Sequence, residues 1–198
     1  KGDMFIPIKG ERDDGHNFIP DILKKQPALV VSELTLEKCC YPVFKVGNTR
    51  DYIASIAAEW RKQLDCIIIG ITGSNGKTTS KELLWHILSG KMNCFKTQGN
   101  YNTVLSVPLS LLSVSKTHRA AVIEIGANKP GEVKYISSIV KPDIGLITNI
   151  SHAHTEFFQS LESIVREKTE LLRSLPESGI AVINSDTSIG NKGIIKAK

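Results

Sequence analysis

The run Ile67-Ile68-Ile69-Gly70-Ile71-Thr72 leads into Gly73-Ser74-Asn75-Gly76 and then Lys77-Thr78-Thr79. An apolar strand thus ends in a glycine-rich turn, and a helix opens on the lysine. Such a turn lets backbone N–H groups face phosphate oxygens, and the helix N-terminus adds positive partial charge. Lys77 can reach terminal phosphates, and a Thr hydroxyl can bind Mg²⁺. The strict phosphate-loop spacing is not met, because Ile71 stands where a glycine is wanted. What remains is Gly73-x-x-Gly76-Lys77-Thr78, with Ser74, Asn75 and Thr79 completing the nucleotide-facing set. The plainer reading is a strand-to-helix turn that uses glycine for its positive φ.

The rest of the chain fits a sheet built around that strand. Apolar patterning predicts strands at 66–70, 93–97, 120–125, 144–149 and 180–184. Helices are expected at 77–89, 106–113, 132–140 and 160–174. Strand–helix alternation of this kind makes an α/β fold with a mainly parallel sheet covered by helices. Ligands then bind at the carboxyl ends of the strands. Before residue 64 the rhythm differs. Strands are expected at 4–8 and 28–31, a polar turn at 10–15, and helices at 17–25 and 51–63. The last of these carries Ile53, Ile56, Ala57 and Trp60 at helical spacing, with Asn48 or Thr49 as its cap. A small N-terminal α/β domain, 1–64, therefore precedes a phosphate-loop domain, 65–198.

Composition narrows the classes. Of 198 residues, 41% are apolar and 23% charged, ordinary for a soluble chain. No apolar run approaches ~18 residues, so no membrane insertion is expected. The formal net charge is +5, but the basic residues are scattered without interleaved aromatics. A site for an anionic small molecule suits that better than nucleic-acid binding. The four cysteines, Cys39, Cys40, Cys66 and Cys94, show no metal-ligand spacing. Cys66 and Cys94 read as buried free thiols in a reducing compartment. The chain starts without methionine and ends on Gly193-Ile194-Ile195-Lys196-Ala197-Lys198, which reads as a piece of a longer protein.

Several polar residues fall where a site is expected. Glu124 ends the strand Ala121-Val122-Ile123-Glu124, and a carboxylate there is costly unless paired or bound to metal. Mg²⁺ beside a phosphate loop is its natural partner, and pointing to water is the alternative. His152 and His154 follow the strand at 144–149, and one of them can reach the same place; a loop histidine is the plainer reading. On a helix over 161–173, Leu161, Ile164, Val165, Leu171 and Leu172 share one arc. Glu162, Ser163, Arg166, Glu167, Glu170 and Arg173 lie outside it, yet Lys168 lies in its middle. A buried lysine favours its neutral form. It can act as a base, pair with a carboxylate, or take up CO₂ as a carbamate. From periodicity alone, a snorkelling lysine whose head escapes is the simpler reading. Thr97-Gln98-Gly99-Asn100-Tyr101-Asn102 is rich in amides and reads equally as a substrate-orienting loop or as a turn.

Together these motifs resemble the Mur ligase family, ATP-dependent amide-forming ligases of peptidoglycan assembly. Gly2-Asp3-Met4-Phe5-Ile6-Pro7-Ile8-Lys9-Gly10-Glu11 and Asp14-Gly15-His16-Asn17-Phe18 resemble the family's N-terminal substrate domain. The amide turn, Val122-Ile123-Glu124-Ile125-Gly126-Ala127-Asn128, Asn149-Ile150-Ser151-His152-Ala153-His154, and the stretches 158–162 and 167–170 are similar to the branch that adds D-Ala-D-Ala. Ser106 departs from that pattern, which commonly has glycine there. The short Thr-Gly-x-x-Gly-Lys-Thr loop is itself a family trait. The resemblance implies a bacterial, cytoplasmic, monomeric ligase that joins D-Ala-D-Ala to a UDP-N-acetylmuramoyl-tripeptide through an acyl phosphate. It implies that Lys77 binds the β- and γ-phosphates of ATP and that Thr78, Glu124 and His154 hold Mg²⁺. Lys168 would be carbamylated and bridge to a second Mg²⁺. Asn149 would lie near adenine, with Asn100 and Asn102 at the UDP-sugar peptide. Another Mur-type ligase, a folylpolyglutamate synthase-like enzyme, or a nucleotide-binding module without catalysis are the alternatives.

Overall fold

The computed structural model describes residues 2–10, 12–36, 39–151, 158 and 160–184. The chain divides into two compact units, Lys1–Ser55 and Ile56–Lys198. The division falls inside one helix, ahead of the boundary expected near residue 64.

In the first unit, strands β1 (Met4–Phe5), β2 (Leu29–Ser32) and β3 (Val43–Lys45) form a parallel sheet in the order β1-β2-β3. The strand expected over 4–8 shrinks to two residues, because Pro7 has no N–H to give to a ladder. The helix expected at 17–25 starts as a 3-10 turn, Gly15–Phe18, and continues as α1 (Ile19–Lys24). Asp14 caps that turn by accepting from the His16 N–H. β3 was not anticipated; it is short and mostly exposed, so it has no apolar signature. α2 (Thr49–Arg61) is capped by Asn48, whose Oδ1 accepts from the N–H groups of Arg50 and Asp51 at 2.8 and 3.1 Å.

The second unit carries the site. Strands β4 (Ile67–Thr72), β5 (Cys94–Lys96), β6 (Ala120–Glu124), β7 (Ile144–Ile147) and β8 (Ile180–Ile183) form one sheet in the order β5-β6-β4-β7-β8. Every pairing in it is parallel. Its central strands are buried, which explains their unbroken apolar runs. α3 (Lys77–Ser89) covers one face, where Leu84, Trp85 and Leu88 pack on Ile69, Ile71, Cys94, Ala120 and Val122. On the other face, Ile164 and Leu172 of α6 (Leu161–Arg173) pack with Ile147, Ile150 and Phe158. α4 (Ser106–Leu112) and α5 (Glu132–Val140) complete the helices. Ser160 caps α6 through a reciprocal bond with Ser163. Ser106 exchanges bonds with Thr103, whose N–H and hydroxyl both meet its Oγ at 2.9 Å. That pairing serves the start of α4. All four cysteines are free; Cys94 is buried, but Cys66 is only partly so, against expectation.

Candidate active site

The carboxyl ends of β4, β6 and β7 meet around the loop 73–76. This loop is held from below by the segment after β7. The Ser74 N–H donates to the Asn149 carbonyl at 2.9 Å, and the Asn75 N–H donates to Asn149 Oδ1 at 2.8 Å. Thr148 donates its hydroxyl to the Asn75 carbonyl at 2.6 Å, and Ser74 Oγ donates to the Ser151 carbonyl at 2.9 Å. The fit leaves no room at Gly73. Its φ is +148°, and a Cβ there would lie 2.0 Å from Thr148 Oγ1. Gly76 caps α3 with φ +78°. The first N–H groups of α3 have no intrahelical acceptor and make an anion-binding end.

Lys77 folds back over this loop. Its Nζ donates to the carbonyls of Gly73 and Ser74 at 2.8 and 3.2 Å. Burial lowers its pKa, and the Glu124 carboxylate partly opposes the shift.

Glu124 is only 1% exposed. Its Oε1 accepts from Thr78 Oγ1 at 3.2 Å and from Asn102 Nδ2 at 2.8 Å, and its N–H donates to Thr97 Oγ1 at 3.1 Å. Its Oε2 is buried without any hydrogen-bond partner. The ammonium of Lys81 lies 3.6 Å from that oxygen. An orphaned buried carboxylate oxygen next to a Thr hydroxyl and a phosphate loop is a donor set that fits Mg²⁺. That ion takes one or two protein oxygens and fills its shell with phosphate and water. Among the described residues no group of three His, Cys, Asp or Glu side chains gathers for a metal. His152 and His154 lie outside the described residues.

Lys168 is 3% exposed on α6, so its head does not escape as the snorkelling reading expected. Among the described residues it makes no hydrogen bond or ion pair. Burial, and then repulsion from Lys77, bring its pKa from 10.5 down to about 8, with Glu167 and Glu132 pulling the other way. The repulsion means that Lys168 and the loop lysine share one electrostatic neighbourhood. Glu167, expected on the polar side, is buried as well. Its carboxylate accepts from the Gly131 and Val133 N–H groups at 2.7 and 2.8 Å, closing the start of α5.

The remaining sequence-predicted residues divide. Asn102 is committed to Glu124 by its amide. Asn149 is committed to the loop by Oδ1. Asn100 is exposed beside them, as are Thr78 and Thr79 at the start of α3. Lys81 and Glu167 were missed. Both are charges on helices, and only tertiary partners explain their burial. A cavity of about 800 Å³ lies at the opposite, amino end of the sheet, lined by Arg61, Lys134, Ser137, Lys141 and Asp143 among others. Arg61 is already bound there to the Val140 and Lys141 carbonyls and to Asp143.

A parallel sheet with a glycine loop at the carboxyl end of its central strand, an inward lysine and a buried acid on the next strand defines a phosphate-loop domain. The particular family follows from comparison. The Mur ligase middle domain matches residues 71–198, and the chain belongs to the Mur ligase family. A UDP-N-acetylmuramoyl-tripeptide–D-alanyl-D-alanine ligase from Synechocystis is 40% identical over 190 residues, covering 95% of this chain and 42% of that protein. The ligase of the same name from Borreliella burgdorferi is 48% identical over 178 residues, covering 85% and 38%. The crystal structure of MurF from Thermotoga maritima in complex with ADP superposes with a TM-score of 0.93 at 34% identity, covering 100% of this chain and 46% of that one. The chain thus spans about two fifths of the length of the curated relatives it matches.

Proposed function

We propose that this chain supplies the ATP site of an ADP-forming ligase that adds D-Ala-D-Ala to a UDP-N-acetylmuramoyl-tripeptide in peptidoglycan precursor synthesis. The observation that carries the reading is the convergence of Lys77, Thr78 and the orphaned Glu124 oxygen at one glycine loop. The substrate assignment rests on the relatives' names, and the nucleotide on the ADP complex of the Thermotoga maritima protein.

In this mechanism the peptide's terminal carboxylate attacks the γ-phosphorus of ATP. The bond to the bridging oxygen breaks, ADP leaves, and an acyl phosphate forms. The D-Ala-D-Ala amine then attacks the acyl carbon, phosphate departs, and the amine sheds a proton. Negative charge builds on the transferring phosphoryl group, so fixed donors and cations matter most. Lys77 would turn from the loop carbonyls to the β- and γ-phosphates. The free N–H groups of α3 would bind phosphate oxygens. Thr78, Glu124 and His154 would hold Mg²⁺, which supplies charge neutralisation when bound. Lys168, with its depressed pKa, keeps enough neutral amine to condense with CO₂, and the carbamate anion would hold a second Mg²⁺. Asn149 would lie near adenine as well as bracing the loop. Asn100 and Asn102 would face the substrate. The protein is read as a cytoplasmic monomer with a substrate domain over 1–64 and an ATP domain over 65–198.

The test labels the tripeptide's terminal carboxylate with ¹⁸O, in a longer protein that contains this chain. One ¹⁸O should appear in the released phosphate, only when ATP and both substrates are present, and Lys77→Ala should stop it. Phosphate release without label would refute the acyl phosphate. ATP binding with no turnover under any substrate combination would favour a non-catalytic module.

A further inference from the structure

Lys81 is the least expected charge in the molecule. It is 0% exposed, one turn along α3 from Lys77. Its Nζ donates to the Gly99 carbonyl at 2.6 Å and lies 3.3 Å from Glu82 Oε1 and 3.6 Å from Glu124 Oε2. A buried ammonium is costly unless such partners surround it, so what the partners do decides what the lysine is for. They belong to two different parts of the site. Gly99 is the apex of the amide turn 97–102, where φ is +49°. Glu124 is the carboxylate with the orphaned oxygen.

The same turn is fastened to β6 and the residues just after it by further bonds: Thr97 donates its N–H to the Val122 carbonyl at 3.0 Å, and Asn102 Nδ2 donates to Glu124 Oε1 at 2.8 Å. Thr97 Oγ1 accepts from the Glu124 N–H, and the Asn102 carbonyl accepts from the Gly126 N–H at 2.7 Å. Its approach is fixed too. Lys96, just before the turn, pairs with Glu82 and lies 3.7 Å from the centre of the Trp85 ring. Both ends of the turn are therefore held, and Lys81 is what holds the middle.

We infer that Lys81 is a positioning residue, which ties the apex of the 97–102 turn to Glu124 and so sets the substrate-facing amides in register with the metal-binding carboxylate. The inference rests on the proposed function for what the turn faces, and on geometry alone for the tie. Lys81 touches no atom of the loop 73–76, so its loss should loosen the turn and leave that loop in place.

The experiment is residue-resolved amide hydrogen exchange on the full chain, wild type against Lys81→Met, which keeps the apolar stem. The Tyr101 and Asn102 amides should exchange about tenfold faster or more, the loss of one charge-assisted hydrogen bond. Exchange in β4 and β6 should stay as in wild type. In a longer protein with ligase activity, KM for the UDP-sugar peptide should rise. Unchanged exchange at 101–102 in the folded variant would overturn the inference, as would acceleration spread evenly over β4 and β6. If Lys81→Met does not fold, wild-type NMR decides. A protected Lys81 ammonium resonance coupled to the Gly99 carbonyl carbon supports the tie, and its absence removes it. Failure of the wild-type chain to bind Mg·ATP would instead sink the functional reading.

Discussion

Replacing Lys168 by methionine should make the chain more stable at neutral pH. The side chain is 3% exposed, and its pKa is brought from 10.5 to about 8. That difference corresponds to roughly 3 kcal/mol held against folding while the amine is charged in both states. Methionine keeps the length and removes the charge, so a gain of roughly 1–3 kcal/mol is expected at pH 7. The sign reverses the usual lysine case, in which a folded-state partner raises the pKa. Below pH 8 the folded and unfolded chains both bind the proton, and the full penalty applies. Between about 8 and 10.5 the unfolded chain binds more protons than the folded one, so wild-type stability rises with pH and the advantage of methionine shrinks. Urea unfolding at pH 7, 8, 9 and 10, in buffer freed of CO₂, measures both effects. A destabilised Lys168→Met chain, or a difference that ignores pH, would refute the reasoning. The same shift favours the reaction with CO₂ proposed above. At pH 7.5 a pKa of about 8 leaves roughly a quarter of the amine neutral, against about one part in a thousand at 10.5.

Other consequences are smaller. Gly73→Ala forces a Cβ to within 2.0 Å of Thr148 Oγ1; it should cost roughly 2–4 kcal/mol in thermal or urea unfolding and abolish ATP binding by calorimetry. Glu167→Gln weakens the closure of α5 and removes a charge that supports the Lys168 ammonium. It should cost about 1–2 kcal/mol, and Lys168 should titrate lower by NMR than in wild type. Lys168→Ala should abolish ligation in a longer active protein, with partial rescue by short carboxylic acids, whereas full activity would end the carbamate role.

What the sequence made legible follows from local rules. α3 and α5 fall on their expected bounds because Gly76 and Gly131 open them and Pro142 follows α5 closely. The central parallel strands β4 and β6 announce themselves as apolar runs because both faces are covered. Lys168 stood out because it breaks an apolar arc. Lys81 did not, because α3 inverts the usual pattern: Leu83 and Ile87 are 61% and 67% exposed while the lysine is fully buried. No local rule supplies a reason to bury it. The reason is the Gly99 carbonyl and the Glu124 carboxylate, which come from 18 and 43 residues further on. Glu167 was hidden likewise, since its partners are backbone N–H groups of another helix. Asn102 and Asn149 were found from their positions, but not their bonds to Glu124 and to the loop.

The central claim is that this loop holds ATP with its γ-phosphate at Lys77 and Mg²⁺ at Glu124. A crystal structure with Mg²⁺ and a non-hydrolysable ATP analogue tests it most directly. The account predicts that Lys77 leaves the carbonyls of Gly73 and Ser74 for the terminal phosphates, and that the metal takes Thr78 Oγ1 and reaches Glu124 Oε2 directly or through water. A nucleotide bound elsewhere, with Lys77 still on the Gly73 carbonyl and Glu124 without a metal, would contradict it.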